Sequence, residues 1–146
     1  MNERGFTLIE LLIVVAIIGI LAAVGIPNLL HALERSKQTQ TMTTVRQIAK
    51  AITMYSQDHS VTPTPGSDRA ADLQPYLEMY NSHLTVVDGW RRDVIYQTDG
   101  QNFTLISYGK GGAADGSYLF GPTHSFTADI VFNNVMFVQW PEGIQN

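Results

Sequence analysis

Gly5-Phe6-Thr7-Leu8-Ile9-Glu10-Leu11-Leu12-Ile13-Val14-Val15-Ala16-Ile17-Ile18-Gly19-Ile20-Leu21-Ala22-Ala23-Val24-Gly25-Ile26-Pro27 is the stretch on which the fold turns. Residues 11–26 are all Leu, Ile, Val, Ala or Gly, and eleven of them are Leu, Ile or Val. Extended back to Phe6, the run is 21 residues interrupted only by Thr7 and Glu10, a length at which a helix crosses hydrocarbon. Each Leu, Ile or Val favours insertion by about 0.3–0.6 kcal/mol, roughly 3–7 kcal/mol together. An acidic side chain costs about 2.5–3.5 kcal/mol at a helix centre and less near an end, where Glu10 sits. Insertion wins despite the carboxylate.

Three plain readings of this segment compete. As a cleavable secretory signal its apolar core is longer than the usual span, and Gly25-Ile26-Pro27 puts Ile and Pro where small residues are needed. As a membrane anchor it leaves Glu10 as an unexplained cost. As a helix start, Thr7-Leu8-Ile9-Glu10 has the spacing of a capping box, with Thr7 as N-cap and Glu10 reaching back to its N–H.

Outward from Pro27, helical spacing resumes. Leu29, Leu30 and Leu33 form one patch, and Met42, Val45, Ile48, Ala49, Ile52 and Tyr55 follow at i, i+3, i+4 intervals. One helix, kinked near Pro27, is expected to run to Asp58, a length of roughly 80 Å at 1.5 Å per residue. Nothing in the chain is large enough to cover its first half, so lipid or other copies must. The Thr-rich stretch 39–44 is expected to be a soft point. Thr62-Pro63-Thr64-Pro65-Gly66 stops the helix. A short helix is expected within residues 68–80, with Asp68 as N-cap and Pro75 breaking it.

The period then changes to that of strands, at residues 84–87, 94–97, 103–107, 130–132 and 135–138. Asp99-Gly100 and Asn133-Asn134 supply the hairpin turns. The fold class is therefore α+β: a long N-terminal helix packed on a small C-terminal antiparallel β-sheet. The expected divisions are a leader at 1–5, an apolar transmembrane and assembly helix at 6–27, an amphipathic continuation at 28–58 and a globular head at 59–146.

Residues 4–30 resemble, nearly without departure, the class III signal of type IV pilins and type II secretion pseudopilins. Asp88-Gly89-Trp90, Val94-Ile95-Tyr96, Ser107-Tyr108-Gly109-Lys110 and Ala128-Asp129-Ile130 are similar to the heads of major pseudopilins. The resemblance implies that prepilin peptidase cuts between Gly5 and Phe6 and methylates the Phe6 amine. It implies that Glu10 neutralises the amine of a neighbouring copy as a homo-oligomeric helical filament grows. At about 4 Å and an effective dielectric near 20, such a pair attracts by about 4 kcal/mol before desolvation is subtracted. It further implies a single-pass protein of the bacterial inner membrane with its head outside the cytoplasm. Inner-membrane assembly machinery and minor pilins or pseudopilins would be its partners, and its destination a periplasmic pseudopilus or a surface pilus.

Residues 109–125 hold five glycines and a proline, a long loop for a small head. In pseudopilins the corresponding loop is held by calcium, which takes six to eight oxygens. Asp115 and Asp129 are the residues in position here, with Lys110 as a counteracting charge. Against that ligand set stands a turn at Asp115-Gly116 and a strand-edge role for Asp129.

Other chemistry finds little support in the residues. Net charge is −4, which offers no basic face for nucleic acid, and the absence of cysteine removes disulfides and thiolate metal sites. Gly109-Lys110-Gly111-Gly112 lacks the ending of a phosphate loop. His31, His59, His83 and His124 have no metal-ligand spacing. Asn102-Phe103-Thr104 has the pattern of a glycosylation sequon, and Trp90 and Trp140 read as partly buried head residues. No catalytic constellation emerges, so a structural role is expected rather than an enzyme. A membrane-anchored module that binds a ligand or calcium without polymerising is the competing reading.

Overall fold

The computed structural model describes residues 5–145, so the expected leader lies outside the described residues except for Gly5. Contacts divide the chain into two compact units, Met1–Leu33 and Glu34–Asn146.

Helix α1 runs over Leu8–His59 as one element, with Pro27 inside it. In the first unit no side chain of residues 5–33 is buried, and Ala22 alone is half-buried. Mean hydropathy in this part of the helix reaches 2.9 over 18 residues. The Thr-rich stretch, expected to be weak, remains helical. Thr39, Thr41 and Thr43 each donate to the carbonyl four residues earlier, at 3.1, 2.8 and 3.0 Å. Such bonds satisfy the hydroxyls within the helix itself. The helix stops before the prolines: Ser60 turns left-handed at φ 61° while its N–H still reaches the Ser56 carbonyl at 2.8 Å.

In the second unit α1 contributes Val45, Ile48 and Ile52 to a closed core with Leu73, Leu77, Val94, Tyr96 and Leu105. A 3-10 turn over Ala70–Leu73 leads into α2 at Gln74–Leu77. Two expectations are corrected here. Arg69, not Asp68, stands at the N-cap, and Pro75 lies in the first turn of α2, where its missing N–H costs nothing, rather than breaking a helix.

The sheet has strands β1 (Ile95–Thr98), β2 (Phe103–Ser107), β3 (Gly121–Thr123), β4 (Ile130–Asn133) and β5 (Met136–Pro141), in the order β1-β2-β4-β5-β3. The β1–β2, β2–β4 and β4–β5 pairs are antiparallel, so the α+β class with a mainly antiparallel sheet holds. The β3–β5 pair is parallel, and β3 was not expected from sequence. Residues 84–87 form no strand. A tight turn at residues 88–92, with Arg91 at φ 63°, allows only the single bridge Val87–Asp93. At the β1–β2 turn the Asp99 carboxylate accepts the N–H groups of Gln101 and Asn102 at 2.9 and 2.6 Å. At the β4–β5 turn Asn134 takes the expected positive φ, 37°.

Candidate functional site

Thr7 and Glu10 form the capping box their spacing predicts. One Glu10 oxygen, Oε2, accepts the Thr7 N–H at 2.9 Å and the Thr7 hydroxyl at 2.7 Å, and the Glu10 N–H points back to Thr7 Oγ1 at 3.3 Å. Phe6 stands exposed immediately before this cap, and the space around the Gly5 backbone is open. Chemically the segment offers one carboxylate on an otherwise apolar surface. Such a surface suits lipid or like helices.

The second feature is the loop around Asp88, which sequence reasoning registered only as part of a resemblance. Asp88 is buried, and Oδ1 accepts the N–H groups of Trp90 and Arg92, both at 2.9 Å. Its Oδ2 accepts the Ser107 hydroxyl at 2.8 Å. The turn so held lies against α1: the Gly89 N–H donates to Thr41 Oγ1 at 2.9 Å, and the Trp90 indole donates to Glu34 Oε2 at 2.7 Å. Lys37 pairs with the other Glu34 oxygen at 3.0 Å. Burial works to raise the Glu34 pKa, but these two donors outweigh it and hold the carboxyl below its ordinary value. A Cβ on Gly89 would lie 2.2 Å from the Lys37 carbonyl oxygen, so only glycine permits this approach. The available signal was Asp followed by Gly at a turn, a carboxylate placed to bond the backbone just ahead of it.

The long loop is tied down at two points. Arg92 donates to the Gly109 and Lys110 carbonyls at 2.6 and 3.2 Å. Asp115 and Asp129 do meet, and they exchange bonds. The Asp115 N–H donates to Asp129 Oδ2 at 3.0 Å, and the Asp129 N–H donates to Asp115 Oδ2 at 2.9 Å. Asp129 is fully buried, and its Oδ1 has no hydrogen-bond partner. Burial raises its pKa, reinforced by the Asp115 charge and opposed by the Asp115 N–H. Tyr118 lies close enough that burial and then the Asp129 charge push its phenol up to about 12, without a bond of normal geometry to Oδ1.

As a calcium site this arrangement is half built. The orphaned Oδ1 is the kind of atom a cation relieves. Yet each carboxylate already spends an oxygen on the other's backbone, and no group of three or more His, Cys, Asp or Glu able to hold a metal exists among the described residues. The four histidines are all exposed; His59 stacks on Tyr55, and His124 bonds the Glu142 carbonyl. Trp90 and Trp140 are both half-buried.

Comparison with known proteins adds to this geometry. A model of the prokaryotic N-terminal methylation motif matches residues 1–26, and a model of type II secretion system protein G matches residues 28–119. The type II secretion system core protein G of Vibrio cholerae serotype O1 is 33% identical over 123 residues, covering 79% of this chain and 83% of that protein. The protein of the same name from Escherichia coli K12 is 29% identical over 119 residues, 78% of this chain and 79% of that one. The type IV wide pilus major component of Thermus thermophilus is 52% identical, but over 59 residues, 40% of this chain and 45% of that one. No solved structure matches the chain. With the family model matching residues 28–119, more than half of the chain, and a relative aligned over most of both lengths, the chain belongs to the type II secretion system protein G family.

Proposed function

We propose that this chain is the structural subunit of a type IV pilus-like filament, and specifically a major pseudopilin of type II secretion. The observation that carries the reading is the first 26 residues of α1, an apolar surface on which no side chain is buried and which bears one carboxylate. The methylation motif and this helix fit anchoring in the inner membrane before assembly. Prepilin peptidase cleaves between Gly5 and Phe6 and methylates the new amine. The subunit waits with its head outside the cytoplasm and then packs its helix beside those of other copies. Glu10 sets the register by pairing with the Phe6 amine of a neighbour. Minor pseudopilins and the inner-membrane assembly machinery are its other partners. The secretion machine is preferred over a surface pilus because the core protein G relatives align over most of the chain, whereas the pilus component aligns over less than half.

Intact mass of the protein from its own host tests the processing: loss of residues 1–5 and gain of one methyl group is expected, and retention of Met1 would sink the reading. Glu10→Ala should abolish filaments while leaving the subunit in the membrane. A deletion strain that still secretes but no longer twitches would move the subunit to a surface pilus.

For the loop, the reading we carry forward is a weak calcium site in which Asp129 Oδ1 and Asp115 would act together with loop carbonyls. Calcium would supply charge neutralisation beside Asp129, and the loop's own bonds would supply the rest of its order. Calorimetric titration with calcium checks this. No heat and no rise in Tm would remove the ion and leave the Asp115–Asp129 exchange as the sole clasp there.

A further inference from the structure

A filament that grows without closing needs two different surfaces on each subunit, one to meet the copy ahead and one to meet the copy behind. The head carries two exposed apolar patches, at opposite ends of β5. At one end Leu119 and Phe120 are 81 and 71% exposed, and Phe120 stands edge-on to Trp140 at 5.6 Å. At the other end Val135 is 81% exposed and borders a groove of about 510 Å³ whose walls include Met54, Phe132, Arg46 and Lys50. Patches of this kind on a soluble head mark contact surfaces more often than not.

The two ends also differ in charge. Glu142, exposed, borders the Phe120 patch, where it holds the Trp140 indole at 3.0 Å. Arg46 and Lys50 border the groove, and neither forms an ion pair among the described residues. The patches are therefore complementary to each other and not to themselves: an apolar knob with a carboxylate beside it, and an apolar groove with two cations beside it.

We propose that Leu119 and Phe120 of one copy seat in the Arg46–Val135 groove of another copy, with Glu142 facing Lys50, as a head-to-head contact that repeats along the filament. This rests on the filament reading and adds to the helix contacts a second, heterologous interface. Like-charge facing would penalise a knob meeting a knob or a groove meeting a groove.

The chain has no cysteine, so introduced thiols report only their own contacts. Full-length chain carrying Phe120→Cys and Val135→Cys, assembled in its host and treated with a short bismaleimide, should give a ladder of dimers, trimers and higher species. Co-expressed single variants should give dimers and no ladder. Dimers from Phe120→Cys alone, linkage of that thiol to a different protein, or intact filaments of the double variant with no ladder would each overturn the proposal while leaving the filament reading standing. Absence of filaments from the unaltered chain would overturn both. Independently, Glu142→Lys should cut filament yield about tenfold and Lys50→Glu should restore it in the double variant; failure of that rescue counts against the facing charges.

Discussion

At the scale of single residues, Gly89 and Asp129 carry the sharpest consequences. A methyl group on Gly89 meets the Lys37 backbone at 2.2 Å, and a backbone oxygen in mid-helix cannot move aside. Gly89→Ala should therefore cost about 3 kcal/mol, the upper range for overpacking, and lower Tm by roughly 10 °C in thermal unfolding. The fold should survive, since the Asp88 bonds remain. Asp129 titrates in the opposite sense from a paired carboxylate. Its pKa in the folded head is raised above the ordinary 3.8 by burial, so the folded state holds its proton longer than the unfolded chain does. Stability is greatest below 3.8 as far as this group is concerned, falls as pH rises from there to the raised folded value, and levels off above it. Asp129→Asn should flatten that slope in urea midpoints measured against pH in the presence of a chelator. An unchanged slope would assign the pH dependence elsewhere. Asp129 became a candidate through the resemblance of its loop to that of pseudopilins, and its own position suggested only a strand-edge hydrogen-bonding role. Its exchange of backbone bonds with Asp115 was not legible, because that pairing exists only once β4 fixes one partner.

At the scale of elements, α1 was legible almost throughout, because apolar length, helical spacing and a capping box all point the same way. The strands with β-branched and aromatic alternation were legible as well. Those that escaped did so for local reasons. Gly121-Pro122-Thr123 has no strand signature of its own and becomes β3 only by pairing, in parallel, with a partner later in the chain. Residues 84–87 have the composition of a strand, but the Asp88 turn leaves them a single bridge. Composition reports what a segment can do, and its neighbours decide what it does. The cap at the start of α1 makes a prediction of its own. Thr7→Ala removes both the hydroxyl that donates to Glu10 and the acceptor of the Glu10 N–H. It should destabilise the first turn by about 1 kcal/mol, roughly a fivefold faster amide exchange at residues 9 and 10 in detergent micelles.

At the scale of the whole molecule, the closed core, the Asp88 turn and the Asp115–Asp129 clasp are all built from residues of the compact unit Glu34–Asn146. A chain beginning at Glu34 should thus unfold as one cooperative transition and remain soluble without detergent, which sedimentation and thermal unfolding would check. Multiple transitions would mean that the apolar segment contributes to the head after all. The capped Glu10 bears on what assembly costs. Its Oε2 is engaged by Thr7 within the single chain, so in the pairing proposed above a neighbour's amine would meet a carboxylate already partly satisfied rather than rescue a stranded charge. On the proposed filament reading Glu10 would then choose the register at little cost in either direction, and the Thr7→Ala chain, with less to give up, should come apart more slowly, which dilution of preformed filaments would check.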